Sequence, residues 1–198
     1  MVCGIIVATA TLCNYQYLTM CKEIEKTAGL LIALYILTSA MIYVPDWNVV
    51  GVSRGCDILQ RLGYSFFHAS FIHAAVNAWC FISILFLYEV TWWRLATAFI
   101  IAVAVPEFVL SSVPTVGLSA VCFALLGSIA FQVKRKLYYN GCMALYIALG
   151  FFFPLVNGWL HLYSYVAGLF VGFLTCPIKR IHNGASSCFV ERKDNERC

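Results

Sequence analysis

The 42 residues from Leu137 to Ile178 contain no charged side chain, and that run restricts the chain more than any other feature. A fold exposed to water needs polar surface to cover itself, and this stretch offers too little. It is long enough to cross a hydrocarbon layer of roughly 30 Å twice. Upstream the pattern continues: between Lys26 and Arg94 the only charges are Asp46, Arg54, Asp57, Arg61 and Glu89. Of all 198 residues 62% are apolar and 11% charged, with a mean hydropathy of +0.85. Soluble domains run nearer about half and a quarter. An all-α membrane protein is expected, and a soluble domain, a nucleic-acid binder and a disordered chain are excluded as classes. The net charge of +4 is not a phosphate-binding signal, because most basic residues stand in short clusters between apolar runs.

Runs long enough to span lie at 28–44, 66–88, 93–110, 117–133, 137–155 and 159–176, which predicts a bundle of six transmembrane helices. Breakers or charges mark the joints: Pro45, Asp46 and Asn48, then Glu89 to Arg94, Ser111 to Pro114, Lys134 to Lys136, and Pro154, Asn157 and Gly158. Only the joint from Pro45 to Ser65 is long, and its Val49 to Val52, Ile58 and Leu59 suit an interfacial position. Residues 1–27 read as a short apolar appendage with a linker, 28–177 as the helical domain and 178–198 as a polar tail. Within the appendage, Val2 to Leu12 is too short to span securely and lacks the basic start of a signal peptide.

Orientation follows from the basic residues. Placing residues 21–27, 89–94, 134–136 and the tail on the cytoplasmic side puts eleven Lys and Arg inside, against Arg54 and Arg61 outside. This predicts a multi-pass protein of the cell membrane with a cytoplasmic C-terminus, whose second, fourth and sixth spans all begin at the outer face. The ten cysteines are spread singly, with no C-x-x-C pair. They read as small apolar packing residues, and no metal or cofactor is expected.

At the outer starts of those three spans stand His68, His73 and Asn77, then Ser119, then His161. Ionisable side chains at membrane depth cost a few kcal/mol each on insertion scales, so they read as an interior site with partners. His73 and Asn77, four apart, share a helix face. Ser119 follows Pro114 and Gly117, which puts it in a first turn, where free N–H groups favour a developing anion. Ser119 is a candidate nucleophile and His161 its candidate base, with His73, Asn77 and the Ser119 N–H as candidate oxyanion donors. No carboxylate accompanies them, so a dyad is expected rather than a triad. A cavity open to the outer face should bring water to Ser119.

These residues resemble the rhomboid family of intramembrane serine proteases. His68, His73 and Asn77 are similar to its H-x4-H-x3-N signature, and Gly117-Leu118-Ser119-Ala120 to its G-x-S-x motif. His161, Ser164, Gly168 and Gly172 resemble its last helix, and Glu89 falls where many members carry a glutamate. The likeness runs over about residues 28 to 177. It departs from the family at Ala120 and Ser164, where glycines are usual, and at Gln60-Arg61, where a Trp-Arg pair is common. The resemblance implies a serine endopeptidase acting on other proteins' transmembrane helices, with small residues beside the cut. It implies Ser119 as nucleophile, His161 as base, His73 and Asn77 in the oxyanion hole, and Phe123 packed against the histidine. It also implies close approach of the fourth and sixth spans at Ser164, Gly168 and Gly172. The oligomeric state is left open.

Taken singly, each of these polar residues reads first as a packing or helix-bonding group. Glu107, after Pro106, reads as turned into the bundle or bonded to freed backbone, and His68 as a solvated or loop-binding residue. Two other functional classes stand beside the peptidase. One is a rhomboid-like pseudoprotease that binds transmembrane segments without cutting them; such proteins usually lack the Ser or His, or carry a proline before the serine, where this chain has Leu118. The other is a transporter or proton channel relaying through His73, His161 and Glu107, which predicts an inverted repeat that the sequence lacks.

Overall fold

A computed structural model describes residues 23–153 and 156–175. The apolar appendage over 1–20, the polar tail over 178–198 and Pro154 lie outside the described residues. Among those described, the regular elements are all helical. The only β-type pairing is one isolated antiparallel bridge, Val52 to Thr115. The helices are α1 (23–39), α2 (Trp47–Val50), α3 (Ile58–Gly63), α4 (Phe71–Leu87), α5 (Trp92–Val103), α6 (Ser119–Ile129), α7 (Lys136–Gly150) and α8 (Gly158–Thr175), with 3₁₀ turns at Tyr64–Phe66 and Glu107–Val109.

Their starts have local causes. Asp46 accepts the Asn48 N–H ahead of α2, Asp57 and Gln60 form a reciprocal capping box on α3, Ser70 accepts the His73 N–H on α4, and Thr91 accepts the Arg94 N–H on α5. For α8, Asn157 Oδ1 accepts the Leu160 N–H at 3.0 Å. By contrast α6 begins without a side-chain cap, which leaves the donors of its first turn to the site.

Helix α6 is the core element. Nine of its eleven residues are buried, as expected of a helix that is apolar on every side. It packs most extensively on α8 and also against α4 and α5. The α6–α8 approach rests on small residues. A Cβ on Gly168 would run into the Ala124 carbonyl, one on Gly127 into the Tyr165 carbonyl, and one on Gly172 would lie 2.6 Å from the Ser128 oxygen.

Helix lengths differ from the six expected spans. Among the described residues, α8 alone is long and apolar enough to cross a membrane, and residues 58–66 with α4 form a second if their 85° bend is taken as one broken span. The run expected over 93–110 stops as a helix at Val103, because Pro106 has no N–H to continue it and disfavours helix in the residue before it. The run expected over 117–133 is helical only from Ser119 to Ile129, about 16 Å at 1.5 Å per residue. Gly117, at φ +125°, blocks its extension backwards. The joint from Pro45 to Ser65 folds into α2, α3 and the start of a 3₁₀ turn.

Glu107 is not turned into the bundle. Its side chain, 53% exposed, pairs with Arg61 at 2.6 Å and accepts the Gly55 N–H. The described cysteines 56, 80, 122 and 142 are free thiols.

Candidate active site

Three helices meet where α4, α6 and α8 begin. Ser119 is the first residue of α6 and His161 the fourth of α8, and close packing through Gly168 and Gly127 sets the distance between them. Ser119 Oγ and His161 Nε2 lie 3.0 Å apart. With Nε2 unprotonated, the hydroxyl donates to the imidazole, which is the geometry a general base needs. No other hydrogen bond to the His161 side chain is found among the described residues, and no carboxylate partners it. The ring is held by stacking: Phe123 lies 4.3 Å away, centroid to centroid, at 21°, and Tyr146 stacks on Phe123 at 5.6 Å and 26°. Ser119 and His161 are both half-buried.

Gly117 supplies the space beside the serine. A Cβ there would stand 2.8 Å from His73 Cε1, 3.0 Å from His73 Nε2 and 3.4 Å from Asn77 Nδ2. Those two polar side chains therefore border the backbone that leads into Ser119. Asn77 is buried, and its Nδ2 has no hydrogen-bond partner. A buried amide donor left unpaired costs roughly 1–3 kcal/mol. That cost is recovered when an acceptor arrives, as an oxyanion does.

The loop before Ser119 is pinned from far along the chain. His68 is 3% exposed, so it is loop-binding and not solvated: its Nε2 accepts the Leu118 N–H at 3.3 Å. Its ring meets His73 edge-on at 5.1 Å. The Tyr64 carbonyl accepts the Gly117 N–H at 3.0 Å, while the buried Tyr64 hydroxyl donates to the Ala102 carbonyl. Val52 and Thr115 exchange both backbone hydrogen bonds at 2.9 Å, and the Arg54 N–H reaches the Ser111 carbonyl at 3.0 Å. Sequence reasoning missed Tyr64, Arg54 and Tyr146. Asn157 was legible only as a joint residue, although Asn at a helix start is a known capping signal.

Of the sequence-predicted site residues, Ser119 pairs with His161, Phe123 stacks on His161, His73 and Asn77 border Gly117, His68 holds Leu118, and Gly168 sits against α6. A cavity of about 270 Å³ opens nearby, lined in part by Arg54, Ser111, Asn157 and Trp159. Its lining does not include Ser119. No cluster of metal-ligating side chains exists among the described residues.

Comparison with known protein families, with curated proteins and with solved structures finds no match to this chain.

Proposed function

We propose that this protein is an intramembrane serine endopeptidase that cuts the transmembrane helices of other proteins near the outer surface of the cell membrane. The observation that carries the reading is the 3.0 Å contact between Ser119 Oγ and His161 Nε2, beside a buried, unpartnered Asn77 amide.

The chemistry follows from these positions. His161 Nε2 takes the Ser119 proton as Oγ bonds to the scissile carbonyl carbon. The carbonyl oxygen becomes an anion, stabilised by Asn77 Nδ2, His73 and the free N–H of Ser119. Protonated His161 then gives its proton to the leaving amine as the C–N bond breaks, leaving an acyl-serine. Water, deprotonated by His161, attacks the ester and releases the second product with the serine restored. No metal or cofactor takes part.

The surface supports a lipid setting. On α4, Ile72, Val76, Trp79 and Leu87 face outwards while Asn77 is buried. On α8, Trp159, Val166, Phe170, Phe173 and Leu174 are exposed while Ser164, Gly168 and Gly172 are buried. Large apolar residues outside and small or polar ones inside invert the pattern of a helix in water. A substrate helix must unwind before its backbone can enter the site, because its amides are otherwise held in helical hydrogen bonds.

The test is labelling of the membrane-embedded protein with a fluorophosphonate probe, comparing wild type with Ser119→Ala and His161→Ala. Label on the wild type alone is expected. Equal labelling of all three, or none on a folded protein, would overturn the peptidase and favour a helix-binding module that does not cleave.

A further inference from the structure

The two arginines of the 45–67 segment stand in opposite circumstances. Arg61 is committed: it donates to the Val105 carbonyl and pairs with Glu107. Arg54 is anchored but not neutralised. Its backbone N–H goes to Ser111 and its Nε to the Leu110 carbonyl at 2.9 Å, and among the described residues no carboxylate pairs with it. The two acidic residues of the segment, Asp46 and Asp57, serve as helix caps, and Glu107, beyond α5, is engaged on Arg61 and Gly55.

Arg54 lines the cavity of about 270 Å³ together with Leu110, Ser111, Ser112, Asn157 and Trp159. Among the described residues no acidic side chain contributes to that lining. Asn157 adds a second donor: its Oδ1 is used by the Leu160 N–H, while its Nδ2 is buried and has no partner. An exposed guanidinium anchored through its Nε, with an unpaired amide on a second residue of the lining, suits an anion, and a carboxylate fits the planar fork of arginine.

Position suggests whose carboxylate. Asn157 lies one turn before His161, whose N–H its carbonyl accepts at 3.2 Å, so one wall of the cavity is the turn that leads into the proposed base, and a peptide held at Ser119 would run past it. Its side chains arrive tethered, at high effective concentration, whereas a free anion would have to bind separately.

We propose that the cavity is a substrate subsite that receives an Asp or Glu side chain close to the cut bond, with Arg54 determining that specificity. The inference rests on the peptidase reading above.

The experiment uses the full chain in vesicles and a model substrate with one transmembrane segment, an Ala-Ala cut site at its outer end, and Asp, Asn or Lys placed in turn at each of the flanking positions. Wild type should cleave the Asp substrate at least tenfold better in kcat/KM than the Asn substrate at one position. That ratio should fall to near one in Arg54→Gln, persist in Arg54→Lys and invert towards the Lys substrate in Arg54→Glu. Equal cleavage of Asp and Asn substrates by wild type overturns the subsite even if every variant misfolds, as does a preference that survives in Arg54→Gln. A rate that instead follows the anionic lipid content of the vesicles overturns it in favour of a headgroup phosphate. Failure of wild type to take the fluorophosphonate label and to cut any substrate overturns the peptidase itself, so the two failures are told apart.

Discussion

Gly117 shows how tightly a single residue is specified. Its φ of +125° is open to glycine and strained for other residues, and the space a side chain needs is taken by His73 and Asn77. Gly117→Ala is therefore expected to slow fluorophosphonate labelling at least 100-fold, measured at equal folded protein. Asn77 is read differently, since its amide is buried without a partner. Asn77→Ala should lower kcat by about 10²–10³, the usual cost of one oxyanion donor, with little change in thermal stability, because an unpaired donor is removed along with its desolvation cost. Phe123→Leu keeps an apolar contact but loses the stack on His161; about 0.5–1.5 kcal/mol of ring interaction goes with it, and the labelling rate should drop by up to about tenfold.

Among the elements, the pairing of α6 with α8 governs the distance between serine and histidine. A side chain on Gly168 meets the Ala124 backbone, which cannot swing aside as the tip of a side chain can. Gly168→Val should cost on the order of 1–3 kcal/mol or more by overpacking, read as a lower unfolding temperature in detergent. The same loss should follow in the Ser119→Ala background, where chemistry plays no part. This packing was legible in the sequence because small residues at four-residue spacing on one helix form a local pattern. So were Ser119 in a first turn and His73 beside Asn77, each set by residues within a few positions of one another. The clamp on the loop before Ser119 was legible only at His68, whose side chain reads as solvated or loop-binding and which accepts the Leu118 N–H. Its other contacts join residues more than 50 apart through backbone carbonyls and amides, Tyr64 to Gly117 and Val52 to Thr115, and backbone groups carry no residue identity. Helix lengths were overread for a related reason: apolarity continues past Val103 and before Ser119, but Pro106 and Gly117 end the helix while the buried environment continues.

Across the described residues, a polar cluster lies inside where α4, α6 and α8 begin, and many large apolar side chains are exposed. In the proposed orientation, Ser112 faces the outside of the cell and Lys134 the cytoplasm. A cysteine placed at Ser112 should react with a membrane-impermeant maleimide on intact cells, above the background of the native thiols, while one at Lys134 should react only after the membrane is opened; the reverse pattern would invert the topology. The site also has a temporal order built into it. The serine and the histidine are 42 positions apart, and the histidine is on the last described helix. A chain emerging from the ribosome holds its nucleophile through the making of α7 with no base beside it. In the proposed enzyme, hydrolytic power would therefore arise only once α8 has been made and seats against Ala124 and Ser128, and a chain stopped or misassembled before that point would be harmless to its neighbours.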